Sequence, residues 1–376
     1  MTPRSGPVGV GLIGAGMISD TYLENLLSFP DVRVVIVGSR QPERARAKAE
    51  QHRVPEWGSS DDVLAHPDVE IVVNLTVPAV HAEISTQAIA AGKHVWSEKP
   101  LSIDRAGGRA LLGQAAAAGL LVGVAPDTVL GQGIQTARRA IARGDIGVPL
   151  SAQTVLQYPG PDLFHPDPEF LFARGAGPLF DIGPYYLTTL VHIFGAVDSV
   201  AAVGSKSRAT RTIQVGDRAG TVFPVEVPTH VSAIARFAGG GVSQSVFSFD
   251  SPLVRMGVVE ITGTEGTMLV PDPNMFTGDV KITRAPSLPD LLADPKWESV
   301  PLTGALAGRG TGVLDMARAV RTGTRPLASG ELAYHVLDTM TAIDEAIATH
   351  RTVEVASTVD TVPLVSEGWD PFAATL

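Results

Sequence analysis

The chain has no cysteine, which removes disulfides, thiolate nucleophiles and cysteine-ligated metals from its chemistry. It is also short of positive charge: 29 Lys and Arg stand against 39 Asp and Glu, a formal net charge of -10. That balance argues against broad nucleic-acid or anionic-membrane binding, both of which need clustered Lys and Arg, while leaving room for a local basic pocket around one phosphate. Long apolar runs are missing too. Residues 8–18 and 115–125 are the candidates, and both fall well below the roughly 20 residues that span a bilayer. The first residues, Met1-Thr-Pro-Arg-Ser-Gly-Pro, carry no charged-then-apolar leader pattern, so a cytoplasmic location is the expectation.

What is present is a chain of 376 residues with 44% hydrophobic and 18% charged residues, in the soluble globular range and too long for one ordinary core. Its first third alternates short β-branched runs (8–13, 32–37, 71–75, 95–97, 121–124) with helical patterns (18–28, 42–51, 79–91, 104–118). The short runs are nearly apolar throughout, which implies a parallel sheet covered on both faces. Beyond residue 128 the pattern changes. A helix over 134–143 is followed by alternating segments, and Ala238-Gly-Gly-Gly241 and Gly263-Thr-Glu-Gly266 mark two hairpins. The proline-rich stretch 272–301 reads as an irregular surface excursion, followed by helices over 312–322 and 331–349. The expected fold class is α/β: a doubly wound Rossmann sheet over residues 1–127, then an α+β domain over 128–376 with a large, mostly antiparallel open sheet.

Gly11-Leu-Ile-Gly14-Ala-Gly16-Met17-Ile18-Ser19 sits where the first strand meets the first helix. Gly14 permits a tight turn, Gly16 lets the backbone approach a pyrophosphate, and the helix start at Met17 and Ile18 supplies free N–H groups. Ser19 takes the place of a third glycine and is small enough for close packing. The second strand ends Gly38-Ser39-Arg40, with Arg44 a turn later. No carboxylate stands there to accept a ribose hydroxyl or repel a 2′-phosphate. Ser39 can donate to that phosphate and Arg40 or Arg44 can pair with it, so NADP(H) is favoured and NAD(H) remains possible.

Glu98-Lys99-Pro100 ends a strand at the carboxyl edge where open α/β sheets bind ligands. Further on, Asp181-Ile-Gly-Pro184-Tyr185 adds a carboxylate and a phenol. Together with Asn74-Leu-Thr76-Val-Pro78, His81 and Ala91-Gly-Lys-His-Val95, these motifs resemble the glucose–fructose oxidoreductase/inositol dehydrogenase (Gfo/Idh/MocA) family, closely over the N-terminal domain and the start of the second. The resemblance implies a Rossmann domain, a C-terminal open sheet commonly used for oligomerisation, and NAD(P)-dependent oxidation or reduction of sugars, inositols and related polyols. It also implies that Thr76, Pro78, His81, Glu98 and Lys99 lie near the cofactor. Many members carry histidine four residues after the aspartate; Tyr185 matches the tyrosine minority.

In this reading Pro184 opens a helix running to about Phe194, with Tyr185 at its mouth and Asp181 just before it. A free phenol titrates at about 10, but the charges of Lys99 and an oxidised nicotinamide favour the phenolate. Tyr185 then takes or donates the hydroxyl proton, Lys99 shuttles or stabilises a proton, and Asp181 orients the substrate hydroxyl or Lys99. Asp127, Tyr158, His165, Arg174 and His192 are further candidate substrate contacts. His165-Pro-Asp167-Pro-Glu169 has ligand-like residues, but its prolines force an extended chain, and no metal site is expected. The partners expected are a small sugar-like substrate and further copies of the chain, as a homodimer or homotetramer through the C-terminal sheet. The alternatives are a sugar sensor on the same scaffold that has lost catalysis, and an enzyme cycling two substrates on a permanently bound cofactor.

Overall fold

The computed structural model describes residues 5–376, and these divide into two compact units. The first takes the chain up to Gly131 together with Gly304–Leu337 and Val365–Leu376; the second takes Gln132–Thr303 and Asp338–Leu364. The chain first crosses near the 127/128 boundary read from sequence. Its later returns to the first unit have no counterpart in that two-part division.

The elements run in chain order β1 (Val8–Ile13), α1 (Ile18–Leu26), β2 (Val32–Gly38), α2 (Pro42–His52), β3 (Glu56–Gly58), α3 (Ser60–Ala65), β4 (Ile71–Asn74), α4 (His81–Ala90), β5 (His94–Ser97), α5 (Arg105–Ala118) and β6 (Val122–Val124). These build a parallel six-stranded sheet in the order β3-β2-β1-β4-β5-β6. All six residues of β1 are buried, as a strand covered on both faces requires. The strand order reverses between β1 and β4, which opens a crevice at their carboxyl ends. Local chemistry sets the helix ends. Pro42 occupies the first turn of α2, Ser59 and Asp62 form a capping box on α3, and Gly119 closes α5 in the left-handed conformation.

The second unit begins with α6 (Gln132–Ala142) and β7 (Pro149–Gln157), followed by α7 (Gly177–Phe194), β8 (Val197–Ser205), β9 (Thr210–Thr212), β10 (Val222–Pro224), β11 (His230–Phe237), β12 (Val242–Ser248), β13 (Arg255–Gly263), β14 (Gly266–Val270), β15 (Val280–Arg284) and β16 (Glu298–Val300). Then come α8 (Thr311–Thr322), α9 (Gly330–Thr349) and β17 (Val353–Glu354). Nine strands form a mixed sheet in the order β16-β15-β14-β13-β7-β12-β11-β8-β17. Every pairing is antiparallel except β7 with β12. Helix α7 packs across β7, β11 and β12. On β11, Val231, Ala233, Ala235 and Phe237 are buried while Ile234 and Arg236 are exposed, the alternation of a sheet covered on one face.

Two expectations are corrected. The stretch 272–301 is not wholly irregular, because β15 and β16 within it extend the nine-stranded sheet; its prolines masked the short alternation of Val-Lys-Ile-Thr-Arg. Helix α7 starts at Gly177, not at Pro184. Pro178 fills the first-turn position where a missing N–H costs nothing, and Pro184 lies inside the helix.

Helix α8, from the late return, completes the first unit. The buried Asp127 carboxylate accepts from the Gly310 and Gly312 amides through one oxygen, at 2.8 and 3.1 Å, and so caps α8 from another segment. A Cβ at Gly312 would fall 2.0 Å from the buried Trp96 ring. Gly312→Ala is therefore expected to destabilise the protein by about 1–3 kcal/mol through overpacking, read as a lower urea midpoint with an unchanged slope.

Candidate active site

The β1–α1 turn has the shape of a pyrophosphate cradle. Gly14 has φ 119°, and a Cβ there would lie 2.6 Å from the Leu75 carbonyl oxygen, so only glycine lets the turn pass the end of β4. At Gly16 a Cβ would meet nothing within 4 Å, leaving its backbone open to a ligand. Met17, at the N-cap of α1, makes no side-chain cap, and the positive end of the helix dipole lies at this turn, where the Ser19 and Asp20 amides donate to the Gly16 and Met17 carbonyls at 3.2 and 3.3 Å. Met17 and Val77 expose large apolar side chains, 73% and 54%, at the same carboxyl edge. The residues present fit a dinucleotide. At the end of β2 the Ser39 hydroxyl accepts from the Gln41 amide at 3.2 Å. Arg40 and Arg44 are exposed, and neither forms an ion pair among the described residues, whereas Arg46 pairs with Glu50.

The loops after β4 and β5 are held by buried polar side chains. Asn74 donates to the His81 carbonyl at 3.0 Å and to Ser85 at 3.2 Å, while its own oxygen accepts from the Thr76 amide and hydroxyl. The His81 ring lies 2.8 Å from the Pro100 carbonyl through Nδ1 and 2.9 Å from the Thr76 carbonyl through Nε2. It thus ties the Lys99-Pro100 loop to the Thr76 loop, and burial holds its pKa below the usual imidazole value. Glu98 is buried; it accepts from the Tyr22 hydroxyl at 2.9 Å and from the Lys99 amide at 3.2 Å. Trp96 in turn donates to the Tyr22 hydroxyl. Glu98 and His81 accordingly anchor the loops, and half-buried Lys99 is carried on a rigid turn.

In the second unit Asp181 and Tyr185 lie one turn apart on α7, on one helix face. The earlier start of α7 corrects the expected placing of Tyr185 at a helix mouth and of Asp181 before the helix. Tyr185 is 4% exposed and Asp181 is partly exposed. Tyr158, just beyond β7, has a buried ring edge-on to Phe249 at 5.2 Å and stacked with Phe164 at 6.2 Å. Burial pushes its phenol well above the usual range, and the carboxylates of Asp181 and Asp162 add to that. His165 accepts its own turn's Asp167 amide at 3.0 Å. Arg174 lines a cavity of about 300 Å³ with Leu179 and Asp344, and neither Asp181 nor Tyr185 is among its walls. His192 is buried with both ring nitrogens unpartnered among the described residues, and burial drives its pKa well down. The structure therefore packs Tyr158 against Phe249 and Phe164 and places Arg174 at a cavity that neither Asp181 nor Tyr185 lines. It also corrects Asp127 as a sugar-hydroxyl acceptor, because the residue is fully buried and caps α8 inside the first unit. Among the described residues no three His, Asp or Glu side chains gather as for a metal ion, and no helix is long and apolar enough to cross a membrane.

Residues 8–125 match the oxidoreductase family with an NAD-binding Rossmann fold, and residues 134–269 match the GFO/IDH/MocA C-terminal domain. The chain belongs to the Gfo/Idh/MocA family. As a Gfo/Idh/MocA protein it is an oxidoreductase that binds a nicotinamide dinucleotide. One relative is trans-1,2-dihydrobenzene-1,2-diol dehydrogenase of Bos taurus, 27% identical over 70% of this chain and 74% of that protein. Another is 1,5-anhydro-D-fructose reductase of Ensifer adhaerens, 27% identical over 92% of this chain and 98% of that protein. Levoglucosan dehydrogenase in complex with NADH has the same fold, with TM-score 0.79 and 24% identity over 93% of this chain and all of that one.

One buried charged cluster escapes sequence reading altogether. Arg211, Asp162 and Asp250 form a buried charge cluster beneath Tyr158, and nothing about Thr210-Arg-Thr212 marks its arginine as different from a surface residue.

Burial raises the Asp127 carboxyl from 3.8 to about 6, against the lowering effects of Arg309 and the two amides. The folded state therefore binds a proton more tightly than the unfolded chain. This contribution makes stability fall as pH rises between about 4 and about 6, and it levels off above that. Asp127→Asn, which keeps an acceptor for the α8 amides, is expected to flatten that fall in melting temperature. An unchanged pH slope would contradict the assignment.

Proposed function

We propose that this protein is an NADP-preferring oxidoreductase moving a hydride between the nicotinamide and a hydroxyl or ketone of a sugar, polyol, glycoside or related molecule, with Lys99, Asp181 and Tyr185 as the catalytic residues. The observation that carries the reading is the Asp181–Tyr185 pair, an acceptor and a phenol stacked one turn apart on a single face of α7. The named relatives support the substrate class: a dihydrodiol and an anhydro sugar both offer a secondary hydroxyl or its ketone.

Each residue has a distinct task. When bound, the nicotinamide accepts or supplies the hydride. Tyr185 takes the hydroxyl proton during oxidation and returns it during reduction. The positive charge of Lys99 favours the phenolate and the developing alkoxide. Asp181 accepts from the substrate hydroxyl and fixes its direction, and Tyr158 offers a second phenol to the ring. Gly14, Gly16, Met17 and Ile18 hold the pyrophosphate, Ser39, Arg40 and Arg44 the 2′-phosphate, and Thr76, Pro78 and His81 the loop along the nicotinamide half. The exposed face of the nine-stranded sheet, bearing Val203 and Ile234, supports assembly into a homodimer or homotetramer. Cytoplasmic residence belongs to the same reading.

Lys99→Met is expected to abolish turnover, by a hundredfold or more, while cofactor titration followed by fluorescence still shows binding. Normal turnover in that variant would defeat the assignment. Arg40→Ala with Arg44→Ala is expected to weaken NADPH by about tenfold or more and NADH by little, as loss of a charge-assisted pair implies. Equal losses for both cofactors would remove the 2′-phosphate argument.

A further inference from the structure

Arg211 lies in β9, a strand paired only with β10 in a two-stranded sheet apart from the main one. Its guanidinium is buried, at 5% exposure, and joins three segments. Through Nη1 it donates to the Pro159 carbonyl at 2.7 Å and to Asp162 at 3.2 Å. Through Nη2 it donates to the Phe249 carbonyl at 2.7 Å and to Asp250 at 2.6 Å. Asp250 is itself held by Ser207 and Thr229; burial pushes its carboxyl up, but these hydroxyls and Arg211 keep it below the usual range. The Arg211 Cζ sits over the Phe172 ring, 5.4 Å from its centroid, and that ring packs on Phe249 and Phe223. Gly160 completes the fit. It has φ 117°, and a Cβ there would come 2.6 Å from Asp162 and 3.0 Å from Arg211.

All of this lies directly under the loop that carries Tyr158. Tyr158 rests on Phe249, whose carbonyl Arg211 grips, and the next residue, Pro159, is gripped as well. The fork of a guanidinium can serve a carboxylate and a carbonyl with each arm at fixed angles; an ammonium cannot. Removing one partner from a buried ion cluster strands the others. The two carboxylates also occupy the guanidinium, so it is not a receptor for an anionic substrate.

We propose that Arg211 is a positioning residue of the substrate site: by clamping the 158–164 loop to the end of β12, it fixes the Tyr158 phenol, the second phenol offered to the substrate. This rests on the reading that the Asp181 row is where substrate reacts. Arg211 touches neither that row nor the phosphate cradle, so its loss acts on substrate placement and not on cofactor affinity.

The test uses the full chain with Arg211→Lys and Arg211→Met, with Asp162→Asn as a second variant should the methionine form not fold. In reduction of 1,5-anhydro-D-fructose by NADPH, the methionine and asparagine variants raise KM at least tenfold, leave kcat within about threefold, and leave NADPH affinity unchanged. Arg211→Lys restores the melting temperature but not KM, because charge is replaced and the fork is not; recovery of both would reduce Arg211 to charge neutralisation and overturn the proposal. A second readout does not need turnover. With 3-fluorotyrosine at position 158, the 19F resonance shifts and broadens in the variants. An unchanged resonance overturns the positioning role whether or not the sugar is turned over. If the wild type reduces none of a panel of anhydro sugars and ketoses, the catalytic reading fails separately.

Discussion

Helix α7 imposes the spacing on which the candidate chemistry rests. A rise of 1.5 Å and a rotation of 100° per residue stack side chains four apart. Asp181 and Tyr185 can share a face only because the helix is already established before Asp181. The start at Gly177 secures this. A Cβ on Gly177 would crowd Val227 and the Pro228 carbonyl, and Pro178 takes the first-turn position that needs no N–H. Had Pro184 opened the helix, Asp181 would sit on an unconstrained loop. Its direction relative to the phenol would then be set by chance contacts.

Around the first unit's crevice, rigidity comes from a different source. Asn74, His81, Ser97 and Glu98 are buried polar groups within a few residues of the strand ends, and each has assigned partners. A buried polar group without a partner costs on the order of 1–3 kcal/mol. These residues therefore specify the loop conformation strongly: any other arrangement of the Lys99 turn would strand several of them. The parallel sheet supplies the platform, and this polar layer fixes what the platform presents.

Much of this was legible in the sequence, and unevenly so. The apolar runs of β1, β2 and β4 and the Gly14/Gly16 turn announced the first unit, because a strand buried on both faces has no competing periodicity. The β11–β12 hairpin was equally plain from its glycine turn. Strand β3 was not, since Glu56-Trp-Gly58 is too short for any pattern. Candidate site residues can be picked from sequence where the pattern is local, as in Glu98-Lys99-Pro100 and Asp181 with Tyr185. Sequence reading failed where a residue's meaning depends on a distant segment. Asp127 looks like an exposed hydroxyl acceptor until Gly310 and Gly312 arrive to occupy it. Arg211 looks like a strand-edge cation until Pro159 and Phe249 converge on it. No spacing rule reaches across such separations.

The late return of the chain has a consequence for order of assembly. Trp96 and Asp127 are synthesised early, yet the helix that covers the first and caps against the second follows eight of the nine strands of the second sheet. On the ribosome the nascent nucleotide-binding half must therefore wait, its indole lacking that cover and its carboxylate without the amides it needs, until Gln132–Thr303 and then α8 have emerged. Severing the two units at the first crossing would leave the early half permanently in that state. The pair is thus one folding unit in time, although it is two in space.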